Sequence, residues 1–99
     1  MIRHVVLVRF KPDANTAQIF AALKALQDKI DGIIAISTGA DSSPEGLQRG
    51  HTHAFTVDFR DAKARDAYLP HPEHQKVGAM IVAAAEGGVA GVTVVDWEM

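Results

Sequence analysis

The 99-residue chain contains no cysteine. That excludes disulfides, thiolate metal sites and a cysteine nucleophile, and it suits a reducing compartment. Neither sign of charge prevails: ten basic and twelve acidic residues leave a formal charge of −2, so there is no basic stripe to follow a nucleic acid backbone. No apolar run approaches the ~18 residues of a membrane span, and the opening "MIRHVVLVRFKP" lacks the small-residue cleavage site of a signal peptide. The expected protein is soluble and cytoplasmic, with neither nucleic acid nor membrane as partner. Glycine-rich dinucleotide and phosphate loops, the HExxH zinc motif and the G-x-S-x-G elbow are all missing as well.

What remains is periodicity. Residues 2 to 10, "IRHVVLVRF", alternate so that Ile2, His4, Val6, Val8 and Phe10 share one strand face. Asn15 and Gln18 have the spacing of a capping box. Ile19, Leu23, Leu26 and Ile30 then mark an amphipathic helix of roughly four turns, ending at Asp31-Gly32. "IIAISTG" (33–39) reads as a strand and 40–50 as a loop, while "HTHAFTVDFR" (51–60) alternates as a third strand. Asp61 can cap a short helix over 62–69, which Pro70 stops. Pro72 suits the first position of a second helix running to Gly87-Gly88, and "GVTVVDWE" (91–98) closes the chain as a strand.

The order βαββαβ predicts a single domain over residues 1–99 with an α+β, ferredoxin-like fold. Its antiparallel sheet has strand order 4-1-3-2 and helices on one face. Val5, Leu7, Ala54, Thr56, Val95 and Trp97 fall on the other face, and no helix remains to cover them. An uncovered apolar face in so small a domain predicts a homodimer packed sheet to sheet.

Strand parity also places polar residues among core positions. His4 and His53 fall on the helix-facing side, as does Asp96, and antiparallel pairing of the first and last strands brings Asp96 close to His4. The same topology delivers Tyr68, His71 and His74, from "YLPHPEH", to that end of the sheet. One buried histidine is most simply a core group bonded to a neighbour. Five polar side chains gathered at one end of a small core point to a site, because each would otherwise cost a few kcal/mol unpaired. His74, in the first turn of the helix opened by Pro72, sits where the helix dipole disfavours imidazolium, so a neutral base is expected there. Tyr68 can donate to a carbonyl oxygen or serve as an ordinary aromatic at a helix end. His71 occupies the capping position. A metal held by His71 and His74 lacks the further ligands that zinc needs.

Taken together, "HVVLVRFK", "SSPEGLQRGHTHAFTVDFRD", "YLPHPEHQ" and "VVDWE" resemble the stress-response A/B barrel domain (Dabb) family over almost the whole chain. The resemblance implies a dimeric α+β barrel. It also implies, from cyclase-like members, cofactor-free aldol chemistry: His74 as base, Tyr68 on the carbonyl oxygen, Asp96 orienting a histidine, and His4 and His53 in the pocket. Phe55 and Phe20 would add apolar lining. The departures from those members are a first helix whose only aromatic is Phe20 and a second helix rich in alanine and glycine. The expected function is a cofactor-free lyase or cyclase acting on a small carbonyl or polyketide-like compound. The alternatives are a non-catalytic, stress-associated binding or structural dimer, and a cofactor-independent monooxygenase.

Overall fold

The computed structural model describes residues 1–99. Strands β1 (Ile2–Val8), β2 (Ile33–Ala40), β3 (His53–Phe59) and β4 (Val92–Glu98) form one antiparallel sheet in the order β2-β3-β1-β4. The helices are α1 (Thr16–Ala25), α2 (Ala62–Tyr68) and α3 (Pro72–Ala84). This is the ferredoxin-like α+β arrangement that the alternation of elements predicts. No helix is long and apolar enough to cross a membrane.

The local chemistry explains each boundary. Asn15 Oδ1 accepts from Gln18 N at 3.1 Å to start α1, and Asp61 Oδ1 accepts from Ala64 N at 2.8 Å to start α2. Only the main-chain half of the expected capping box forms, since the Gln18 side chain makes no return bond. The first helix is shorter than its apolar stripe suggests. It tightens into a 3₁₀ turn over Leu26–Asp28 that buries Leu26, and Ile30 just beyond it is buried as well. Gly32 then reverses the chain at φ +91°, where a Cβ would come within 2.6 Å of the Ala64 Cβ, so only glycine fits the connection.

β1 is buried at every second residue from Ile2 to Val8, and its buried side meets Leu23, Leu26, Phe59, Val77 and Ile81 in one core. β3 begins two residues later and ends one residue earlier than the alternation in "HTHAFTVDFR" implies. His51 lies in the preceding loop, its Nδ1 2.8 Å from the Gln48 carbonyl and its Nε2 3.0 Å from Thr93 Oγ1. A turn over Gly88–Gly91 likewise delays β4 to Val92. On the side of the sheet away from the helices, Val95 and Trp97 are 58% and 47% exposed. Arg3 there grips Asp58 with two hydrogen bonds of 2.8 and 3.0 Å, which holds the Asp58 carboxyl below its usual range.

Candidate active site

The break between α2 and α3 builds the site. α2 ends at Tyr68 with Leu69 as its cap residue, and Pro70 prevents the helix from continuing. The Glu73 amide is capped by the His71 side chain at 3.1 Å, so His71 serves as the cap of α3. The Leu69 carbonyl, freed by the break, instead lies 2.9 Å from His74 Nδ1. A carbonyl can only accept, so Nδ1 carries the proton and the lone pair of the neutral ring is on Nε2. Burial pushes the His74 imidazole below its ordinary value of 6.5, helped by the nearby His4 and His71 and opposed by the bond to Leu69. Desolvation is the largest cause favouring the neutral form of this histidine.

Tyr68 is 1% exposed, with its ring centroid 4.1 Å from that of His74 and 4.9 Å from that of Phe59. The Tyr68 and His74 rings pack against each other at a tilt of 37° and share no hydrogen bond. The only fully sealed side-chain nitrogen or oxygen without a partner is Arg9 Nε, so the unpartnered Tyr68 hydroxyl opens onto the adjoining cavity. Burial drives its pKa far up, and the group therefore stays protonated, as a donor, throughout the neutral range.

Opposite lies His4, 6% exposed, directly across from Asp96 in the β1–β4 register. His4 Nδ1 and Asp96 Oδ1 are 2.7 Å apart, and the other carboxylate oxygen of Asp96 accepts from Arg65 Nη1 at 3.3 Å. Asp96 thus fixes the orientation of the His4 ring, whose edge meets Tyr68 at a centroid distance of 6.1 Å. Arg65, unmarked by any motif, had one legible signal: it precedes Tyr68 by three residues and so shares its helix face.

His4, Tyr68 and His74 line a cavity of about 210 Å³ between the sheet, α2 and α3, otherwise walled mainly by Val6, Leu23, Phe55, Val77, Ile81 and Val92. Its lining includes no Lys, Arg, Asp or Glu. No group of three His, Asp or Glu side chains is placed to hold a metal ion.

The structure gathers His4, Tyr68, His74 and Phe55 around this cavity, with Asp96 behind His4, but not His53 or Phe20. His53 pairs with Val8, four positions along β1 from His4, or about 13 Å at the rise of a strand. It joins Phe10, Phe20 and Phe55 in an aromatic cluster, 5.3 Å from the Phe10 centroid and 5.8 Å from that of Phe20. Shared parity put His53 on the correct face, and register put it at the other end of the sheet. The resemblance-based grouping of His53 and Phe20 with His74 is therefore not the grouping in this cavity.

A stress-response A/B barrel domain-containing protein of Arabidopsis thaliana is 32% identical over 85 residues, which cover 85% of this chain and 77% of that protein. A dimeric ferredoxin-like protein of unknown function from Jannaschia sp. superposes with a TM-score of 0.89 at 30% identity, covering 99% of this chain and 98% of that one. Hydroxynitrile lyase from Passiflora edulis shares the fold, with a TM-score of 0.83 at 22% identity over 99% and 92% of the two chains. The model of the stress responsive A/B barrel domain matches residues 2–99, and the chain belongs to that family.

Proposed function

We propose that this protein is a cofactor-free lyase acting on a small carbonyl compound or its hydroxyl adduct. One observation carries the reading: an unpartnered Tyr68 hydroxyl beside a neutral His74 with Nε2 free, both lining an apolar cavity. A buried hydroxyl without a partner costs about 1–3 kcal/mol, and a carbonyl oxygen placed against it removes that cost. In the addition direction, His74 Nε2 takes a proton from the carbon next to one carbonyl, and the resulting carbanion forms a carbon–carbon bond to a second carbonyl. Tyr68 donates to the oxygen that gains charge, and the imidazolium returns its proton to that oxygen. In the cleavage direction, His74 takes the adduct's hydroxyl proton, the carbon–carbon pair leaves with the departing carbon, and the same proton is returned there. His4, oriented by Asp96, binds the substrate's polar end.

The cavity size favours small substrates over extended polyketide-like ones. About 210 Å³ lies below the roughly 300–1,000 Å³ of pockets for drug-sized ligands. The Passiflora edulis neighbour is a lyase of hydroxynitriles by name, which fits the same chemistry. The network reading, with Tyr68 and His74 satisfied by each other in a filled core, is disfavoured by the lack of a hydrogen bond between them and by the cavity. The test is a panel of small aldehydes, ketones and hydroxynitriles scored by thermal shift and by NMR-detected turnover, with wild type and His74→Ala. Turnover reduced roughly 10²–10⁴-fold in the variant is expected. Equal turnover in both proteins, or no compound that stabilises the wild type more than the variant, sinks the proposal.

The partner we propose is a second copy of this chain, seated on the open sheet face that bears Val5, Val95 and Trp97. The Jannaschia relative is described as dimeric, and apolar side chains half exposed on a sheet favour such cover. Sedimentation should show a dimer that Val95→Asp weakens. A monomer at micromolar concentration in the wild type would refute it.

A further inference from the structure

Gly78 has no structural reason to be glycine. Glycine weakens a helix interior relative to alanine, because it gives up more backbone freedom on folding. It is tolerated where the backbone is left-handed or another atom comes close. Neither applies at Gly78: it lies inside α3, is not among the positive-φ residues, and a Cβ there would meet no atom within 4 Å. Gly32, by contrast, is demanded on both counts.

The position of Gly78 supplies the missing reason. It lies one turn after His74, at i+4, and lines the same cavity. Helical side chains lean toward the N-terminus and cover the turn before their own Cα. A side chain at 78 would therefore lie over the turn that presents His74. The cavity lining also includes Leu69, Val82 and Val94, apolar side chains that are 44%, 36% and 52% exposed. The polar groups His4, Tyr68 and His74 come from the sheet and from the α2–α3 junction. The one nearby carboxylate, Asp96, is engaged by His4 and Arg65 and does not line the cavity. The cavity thus offers hydrogen bonds to one end of a ligand, apolar surface to the other, and no counter-charge to either.

We propose that Gly78 is the specificity-determining residue of this cavity: its bare turn receives the apolar, non-reacting end of an uncharged carbonyl substrate whose oxygen faces Tyr68 and His74. This rests on the lyase reading for the polar end, while the apolar subsite stands on the helix geometry. A phosphate or carboxylate at the reacting end is excluded, since burying its charge without a partner is prohibitive.

The test uses straight-chain methyl ketones from butanone to octanone, titrated by NMR chemical shift into the wild type, Gly78→Ala and Gly78→Leu. In the wild type, affinity should rise about fourfold per methylene while the chain fills the subsite. Gly78→Leu should bind octanone at least about tenfold more weakly and butanone nearly unchanged. Gly78→Ala, whose Cβ enters open space, should fold and show a smaller loss confined to the longer ketones, and it decides the matter if the leucine variant does not fold. Octanone binding equal in all three proteins overturns the proposal, as does equal loss of butanone and octanone in a folded variant. The two readings fail separately. Length selection set by residue 78 without turnover of any adduct leaves the subsite and removes the lyase. Turnover that needs His74 but shows no dependence on residue 78 does the reverse.

Discussion

Tyr68→Phe should stabilise the protein while disabling it. The ring of Tyr68 is 1% exposed and packs against Phe59, and phenylalanine keeps that packing. Only the hydroxyl is lost, and it has no partner within the protein. Leaving a buried hydroxyl unsatisfied costs about 1–3 kcal/mol. Its opening onto the cavity lets water recover part of this, so a net gain of about 1 kcal/mol is expected. For a domain of this size, 1 kcal/mol raises Tm by roughly 4–8 °C. The assay is thermal unfolding followed by circular dichroism at fixed protein concentration, because any self-association makes Tm concentration-dependent. Turnover should fall about 10²-fold or more in the same variant, as for loss of one donor to a developing oxyanion. A Tm lowered by several degrees would show that the hydroxyl is bonded inside the fold, and the argument for a ligand at Tyr68 would fail with it.

His74 gives a pH signature. Its folded pKa lies below the ordinary 6.5, so above that value both states are neutral and native stability is unaffected. As pH falls through 6.5 the unfolded chain takes up a proton first, and stability drops until the native imidazole also protonates. Urea midpoints at pH 7.5 and pH 5 (about one to two units either side of an ordinary imidazole) should differ less in His74→Gln than in the wild type; an identical pH slope in both refutes the assignment. Gly32→Ala should lose about 3 kcal/mol, from left-handed strain together with the clash at Ala64, read as a fall in the urea midpoint; a loss below ~1 kcal/mol would contradict the close approach of Gly32 to Ala64. Gly78→Ala should instead gain about 0.5–1 kcal/mol from helix propensity alone, and an unchanged or lower midpoint would reveal packing at that turn.

The fold was legible because local chemistry and global arrangement agree. Period-2 runs mark β1 and β3, Asn15 and Asp61 open helices, and Pro70 followed by Pro72 punctuates α2 and α3. The site was half legible. The β1–β4 topology implied the pairing of His4 with Asp96, and the proline break implied the placement of Tyr68 and His74. The resemblance alone grouped His53 with His74; parity fixes a face but not a distance along it, and the β1–β3 register sets His53 four positions along β1 from His4. Arg65 and the Leu69 carbonyl carry no motif. Their roles follow from where a helix face and a broken helix end come to lie, which depends on packing between elements distant in sequence.

By itself, then, the sequence determined the order and type of elements, the sheet face on which His4 and His53 lie, and the break that exposes a helix end, because these are set by neighbours a few residues apart. The proton position on His74, the unpartnered hydroxyl of Tyr68, the clamp on Asp96 and the open turn at Gly78 were decided only by the tertiary structure. Each depends on what a distant segment places, or leaves out, within a few ångströms, and no local pattern records that.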